Sequence, residues 1–449
     1  MNSVFEVFQA TAVRRPDAPF LCVPARAQRD YCPEGAEFSY QWMLDQALAA
    51  ARAYTKAGYG HGHRIALLLE NRPAFFVHYL ALNSLGVAIV PVNPDYRHDE
   101  IVYQLDHADV VLAVGISNRV ADLEQASERC TLQPPAVDVA RLPDETLPSA
   151  GQPPPRATTA IDRETECAML YTSGTTGRPK GAVHSQHNLL WPGISSRHAY
   201  PAVDGEHHGT ALALTILNML VLGPLWAFLR GTTAVLLERT DPLGLATEVR
   251  RHRINRITLV PTMAHDLVAH ADVDGGDLAT LTQTIIGAGH TPAALRTAWL
   301  EKFGSRALVG YGLTEAPTGV TREHVDRPMR DDGAGYPLEP LRVVIVDDDD
   351  REVPGGETGE VCLAPVTEGR WAGTWTPMLG YWTSGEATAE ALRGAMLHTG
   401  DLGLLDENGQ LVIRGRRTEM ILRGGANVYP LEVEHVLLEH PVQRIRHAD

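Results

Sequence analysis

No run of ~18 apolar residues occurs, so nothing in the sequence predicts a membrane span. The first residues, Met1-Asn-Ser-Val-Phe-Glu6, lack the basic-then-apolar opening of a secretory signal. Cysteine is scarce: five residues (Cys22, Cys32, Cys130, Cys167, Cys362), odd in number and without CxxC spacing. That excludes a disulfide framework or a cysteine zinc site and points to a reducing cytoplasm. Positive charge is short too, with 39 Lys and Arg against 55 Asp and Glu and a net charge of −16. Nucleic acid is therefore not an expected partner, since phosphate-backbone binding needs a basic surface. A Walker phosphate loop is also missing: Gly177 is followed by Arg178-Pro-Lys-Gly181, without the four-residue spacer before Gly-Lys-Ser/Thr.

What is present is a chain of 449 residues, beyond the size at which one core keeps growing, so more than one domain is expected. Ser39 is placed to cap a helix beginning at Gln41. Buried-strand candidates at Arg64–Leu69, Val87–Val92 and Asp109–Val114 alternate with helical stretches at Phe75–Leu85 and Asp99–His107. This alternation predicts an α/β fold with parallel sheet. Prolines cluster between Gln133 and Arg156, which reads as an exposed connecting loop.

The most informative stretch is Tyr171-Thr-Ser-Gly-Thr-Thr-Gly-Arg-Pro-Lys-Gly181. It follows a short apolar run that reads as a strand entering a loop. Thr172, Ser173, Thr175 and Thr176 supply hydroxyls, and Gly174, Gly177 and Gly181 allow close backbone approach. Lys180 adds a point charge, so the loop suits the β- and γ-phosphates of ATP. Further on, Gly310-Tyr311-Gly312-Leu313-Thr314-Glu315 combines an aromatic ring able to cover a base, a hydroxyl for a phosphate and a hard oxygen donor suited to Mg²⁺. Gly287, Ala288 and Gly289 are small enough for close approach of a ligand, and His290 follows them. Asp401, after Thr399-Gly400, is a carboxylate fit to accept ribose hydroxyls, and Arg416 is a basic residue for ribose or phosphate. The histidine pairs His184/His187 and His207/His208 read as solvated loop residues, and the aspartates Asp347–Asp350 as a hairpin tip.

The loop at 171–181, the Tyr311-Gly-Leu-Thr-Glu315 segment and Thr399-Gly-Asp401 together resemble the acyl-adenylate-forming superfamily. That superfamily comprises acyl- and aryl-CoA ligases, peptide-synthetase adenylation domains and luciferase, and the likeness is strongest to acyl-CoA synthetases. The resemblance implies a large N-terminal domain of stacked sheets flanked by helices over residues 1–417, with a β-rich, barrel-like subdomain at about 340–417. It implies a hinge at Thr418 and the start of a small mobile domain over 418–449, read as truncated because the adenylation lysine of that domain is absent. It assigns Lys180, Thr314 and Glu315 to catalysis, with Glu315 on Mg²⁺. It assigns Thr172, Ser173, Gly174, Thr175, Thr176, Gly177, Gly289, His290, Gly310, Tyr311, Gly312, Asp401 and Arg416 to the nucleotide. Asn218, Gly287, Ala288, Gly289 and Leu313 fall to the acid substrate, and Gly424 and Gly425 to CoA. Thr215, Leu217 and Asn218 depart from the family's usual Pro and aromatic-His, and Asn218 cannot carry a proton charge.

The reaction so implied is ATP-dependent joining of a carboxylic acid to CoA, or to a carrier-protein thiol, through acyl-AMP. Two alternatives stand beside it: an enzyme that converts only preformed acyl-AMP to acyl-CoA, and a non-catalytic nucleotide-binding protein.

Overall fold

The helices begin where the local chemistry asks for them. Ser39 accepts the Trp42 amide at 3.1 Å and opens the helix Tyr40–Lys56; Ser3 does the same for Glu6 at the head of Val4–Arg14. Pro73 and Pro261 stand at the first turns of Pro73–Asn83 and Pro261–Ala269, where a missing N–H costs nothing. The strand Arg256–Leu259 thus runs almost directly into a helix. The computed structural model describes residues 3–142, 146–156, 160–172, 178–199, 205–419, 421–423 and 426–428.

Three larger sheets organise these residues. The first runs Gly380–Tyr381, Lys180–Ser185, Glu166–Thr172, Ala88–Pro91, Arg64–Leu68, Leu112–Gly115, Ala136–Asp138. Its inner strands are parallel, as the strand–helix alternation predicts. Ala136–Asp138 lies inside the Pro-rich stretch read as a loop, yet it pairs with Leu112–Gly115. The stretch is also strapped down farther along: the Ala150 amide reaches Ala57 O at 2.8 Å and Tyr59 Oη reaches Pro148 O at 3.0 Å. The second sheet has nine strands, with Ala307–Leu313, Gln283–Ile286, Arg256–Leu259, His207–Thr210, Thr233–Leu236 and Pro19–Val23 parallel in that order. Antiparallel strands close both its ends. The third is a four-stranded antiparallel sheet of Leu341–Val346, Gly359–Pro365, Leu397–Leu405 and Leu411–Arg416.

One core holds the first two sheets together. It contains Phe20 and Leu236 from the nine-stranded sheet, Leu67 and Ile89 from the seven-stranded sheet, and Phe8, Met43 and Phe76 from helices. Phe8, Phe20, Tyr40 and Phe228 meet there as ring pairs 5.1–6.2 Å apart, a geometry that adds to simple burial. Buried strands that are apolar on both faces, such as Ile65–Leu68, are what parallel sheets covered by helices require. Among the described residues no helix is long and apolar enough to cross a membrane.

Candidate nucleotide and acyl site

The site forms where the three sheets meet, each contributing charge. In the seven-stranded sheet, Thr172 faces Lys180 across an antiparallel pair. Ser173, Gly174, Thr175, Thr176 and Gly177 lie outside the described residues. The edge strand Gly380–Tyr381 pairs beside Lys180–Ser185 and brings the Tyr381 ring under Lys180, with Nζ 5.0 Å from the ring centroid. Tyr381 in turn donates its hydroxyl to Glu315 Oε1 at 2.7 Å, and the Met378 amide donates to the Glu315 carbonyl at 2.8 Å. Burial, then the neighbouring Glu315 charge, hold the Tyr381 phenol far above its ordinary range, so it acts as a donor.

The helix His98–His107 braces this arrangement from outside. Tyr103 Oη donates to Pro179 O at 2.6 Å at the loop's exit. His107 Nδ1 lies 2.9 Å from Tyr171 Oη and Nε2 3.0 Å from Thr383 Oγ1. Burial lowers the His107 pKa, and a neutral ring with one donor and one acceptor serves two hydroxyls.

The four-stranded sheet supplies Asp401 and Arg416, which face each other in register across neighbouring strands. Arg416 Nε is 2.8 Å from Asp401 Oδ1, and Tyr311 donates its hydroxyl to Asp401 Oδ2. Asp401 is buried, which pushes its carboxyl above the ordinary value; Arg416 opposes the shift and the Glu315 charge adds to it. Tyr381 therefore joins Lys180 to Glu315, Tyr311 is bonded to the Asp401–Arg416 pair, and the two groups feel each other's charge, Glu315 on Asp401 and Arg416 on Tyr381.

A cavity of about 600 Å³ opens beside this group. Asn218, Gly287, Ala288, Gly310, Tyr311, Gly312, Leu313 and Thr314 are among its walls. Gly289 and His290 are the next residues along the chain but are exposed and do not line it. Gly312 has no room for a side chain: a Cβ there would stand 1.8 Å from Thr318 O on the returning strand. Asn218 belongs to a short helix, Leu217–Leu220, and not to a strand end. Gly424 and Gly425 lie outside the described residues.

Two expectations are corrected. His184 is fully buried in the strand Lys180–Ser185, and His208 is buried in His207–Thr210. Neither is a solvated loop residue, and burial depresses both pKa values to about 3, so both are neutral. The reason is register: both strands are covered by packing, so polar and apolar side chains alike are enclosed.

The sequence profile of the AMP-binding enzyme family matches residues 8–382. The chain belongs to the AMP-binding enzyme family. A feruloyl-CoA synthase from an Amycolatopsis species is 32% identical over 410 residues, covering 91% of this chain and 79% of that protein. A long-chain-fatty-acid–CoA ligase from Escherichia coli O6:H1 is 28% identical, covering 98% of this chain and 81% of the relative. Among solved structures, an anthranilate CoA ligase in complex with anthranoyl-AMP superposes with a TM-score of 0.84 at 22% identity, over 98% of this chain and 82% of that one. A Bacillus subtilis O-succinylbenzoate coenzyme A synthetase in complex with ATP and magnesium ion gives 0.82 at 23% identity, over 97% and 84%. These likenesses establish the AMP-binding enzyme fold for the chain.

Within that fold, sequence reasoning overlooked Tyr381, His107 and Trp226. The only signal beside Tyr381 in the sequence is its aromatic neighbour Trp382. Trp226 lines the cavity, eight residues after Asn218, with Leu222 between them. The spacing of four is the signal: a π-helical turn at Val221–Leu225 interrupts the helix and keeps the three side chains on one face.

Proposed function

We propose that this AMP-binding enzyme is an acyl-CoA synthetase that activates a carboxylic acid with ATP and transfers the acyl group to CoA. The acid's carboxylate attacks the α-phosphorus, pyrophosphate leaves, and the thiol of CoA then displaces AMP to give the thioester. The observation that carries this reading is the convergence of two charged groups, Lys180–Tyr381–Glu315 and Arg416–Asp401–Tyr311, beside a cavity that Tyr311 and Thr314 line.

In this reading Lys180 and the loop before it take the β- and γ-phosphates. Thr314, which lines the cavity, hydrogen-bonds the α-phosphate. Asp401 accepts the ribose hydroxyls and Arg416 holds it in place. Glu315 is a half-buried carboxylate tethered at one oxygen by Tyr381, and a hard oxygen donor of this kind fits Mg²⁺. The metal would supply charge neutralisation at the phosphates. Catalysis by this chain's own residues is positioning and electrostatic stabilisation. The acid lies in the cavity against Asn218, Gly287, Ala288 and Leu313. Residues 1–417 form the adenylate-forming body in this reading, and 418–449 begin the mobile domain that carries Gly424 and Gly425 toward CoA.

The test is acid-dependent ATP–pyrophosphate exchange together with CoA-thioester formation over a panel of aromatic and aliphatic acids. Acid-dependent exchange supports the reading. Thioester formation from synthetic acyl-AMP without any exchange would replace it with a thioesterification-only enzyme, and neither activity would leave a nucleotide-binding protein.

A further inference from the structure

Behind the acyl cavity lies a second, much smaller one of about 20 Å³. The two share Asn218, Leu222, Trp226 and Ile285 as walls, so the small one is a recess at the far end of the large one. Its lining is unlike that of the main cavity. Thr210 Oγ1, Asn218 Oδ1, Trp226 Nε1 and Gln283 Nε2 are all buried without a hydrogen-bond partner among the described residues. Thr210 is 1% exposed, Trp226 4% and Gln283 8%. Four unsatisfied polar groups around one space are expensive unless something fills it and pairs with them.

The recess is also rigid. Glu206 joins Arg230 at 3.0 Å and pairs with Arg256. Both guanidinium groups lie over the Trp226 ring system, 5.5 and 5.3 Å from a ring centroid. The His208 ring packs on the same indole at 5.4 Å. Arg256 donates to the Gln283 carbonyl oxygen, which turns the amide nitrogen to its own side. Gly223 keeps the space open, since a Cβ there would stand 2.5 Å from Thr210 Oγ1.

We infer that this recess binds a hydroxyl group at the distal end of the acid, and that the substrate is a hydroxylated aromatic acid. The inference rests on the acyl-CoA synthetase reading and specifies its substrate. Size selects the group. A space of 20 Å³ accommodates one water-sized oxygen and not a carboxylate. Chemistry selects a hydroxyl, because the recess offers both donors (Trp226, Gln283) and acceptors (Asn218, Thr210) and a hydroxyl gives and takes at one oxygen, while the charge of Arg256, which also lines it, is already matched by Glu206. The approach is walled by main chain at Gly287–Ala288 and Gly310–Gly312, flat surfaces between which a ring fits better than a coiled alkyl chain.

The test uses three non-hydrolysable acyl-adenylate mimics, the sulfamoyl-adenosine derivatives of cinnamate, 4-hydroxycinnamate and 4-carboxycinnamate. Their dissociation constants are measured by calorimetry on the 449-residue chain, with AMP alone in parallel. The hydroxylated mimic should bind about 10- to 100-fold more tightly than the unsubstituted one. Trp226→Phe and the isosteric Thr210→Val should each shrink that ratio, with melting curves confirming a folded protein. Equal binding of all three mimics, or tightest binding of the carboxylated one, overturns the hydroxyl assignment and leaves the synthetase reading intact. Failure of all three and of AMP overturns both. An unchanged ratio in both folded variants overturns the role of the recess.

Discussion

Tyr381 donates its hydroxyl to Glu315 at 2.7 Å while its ring lies 5.0 Å from the ammonium of Lys180. One side chain thus touches both an acidic and a basic member of the site, and it comes from a third segment of chain. Removing only the hydroxyl separates the two contacts. Tyr381→Phe should keep the ring under Lys180 and release Glu315. We expect kcat to fall about 10-fold, in line with ~1.5 kcal/mol for a hydrogen bond to a charged group. The Mg²⁺ concentration for half-maximal rate should rise, and steady-state kinetics at varied Mg²⁺ would show it. An unaltered Mg²⁺ dependence would remove Tyr381 from the metal-holding apparatus.

Asp401 sits between Arg416 and the Tyr311 hydroxyl. Asp401→Asn keeps the size and removes the charge. AMP binding by calorimetry should weaken by about 10- to 100-fold, the range for losing charge-assisted hydrogen bonds to the ribose. Undiminished AMP affinity would place the ribose elsewhere.

Gly312 is the tightest backbone approach near the site. Gly312→Ala must push the strand Ala307–Leu313 away from Thr318–Arg322, at a cost of ~3 kcal/mol from overpacking. A lowered melting temperature is expected. Because Thr314 and Glu315 follow directly, the ATP affinity of whatever folds should fall as well. A variant as stable as the parent would mean the hairpin relaxes freely.

Glu248 is buried, and desolvation, opposed by Arg239 and reinforced by Glu238, raises its pKa from the ordinary 4.5 to about 7. A raised folded-state pKa means that the fold favours the protonated acid. Its contribution to stability is full below pH 4.5 and is lost as pH rises through about 7. Melting temperatures across that window should therefore decline in the parent more steeply than in Glu248→Gln, which stays neutral. Parallel curves for the two proteins would refute the assignment.

The α/β class, the parallel inner strands and the helices Tyr40–Lys56, Pro73–Asn83 and His98–His107 follow from hydrophobic periodicity and capping residues, which act over a few neighbouring residues. The same holds for Lys180, Thr314 and Glu315: their chemistry is declared by adjacent glycines and hydroxyls. His184 and His208 were misread because enclosure of a strand depends on what covers it, and no residue beside them announces the cover. Ala136–Asp138 reads as loop in the sequence because its pairing partner, Leu112–Gly115, lies outside the proline cluster.

The amino-acid order alone therefore determined the class of fold and the chemical alphabet of the proposed nucleotide site. Only the tertiary structure decided that Tyr381 joins Lys180 to Glu315, that Asp401 meets Arg416 across a strand pair, and that Thr210, Asn218, Trp226 and Gln283 enclose one small space. The physical reason is distance along the chain. Turns, caps and strand periodicity are settled by near neighbours, whereas a shared hydrogen bond or a cavity wall exists only once sheets from remote segments have packed on a common core.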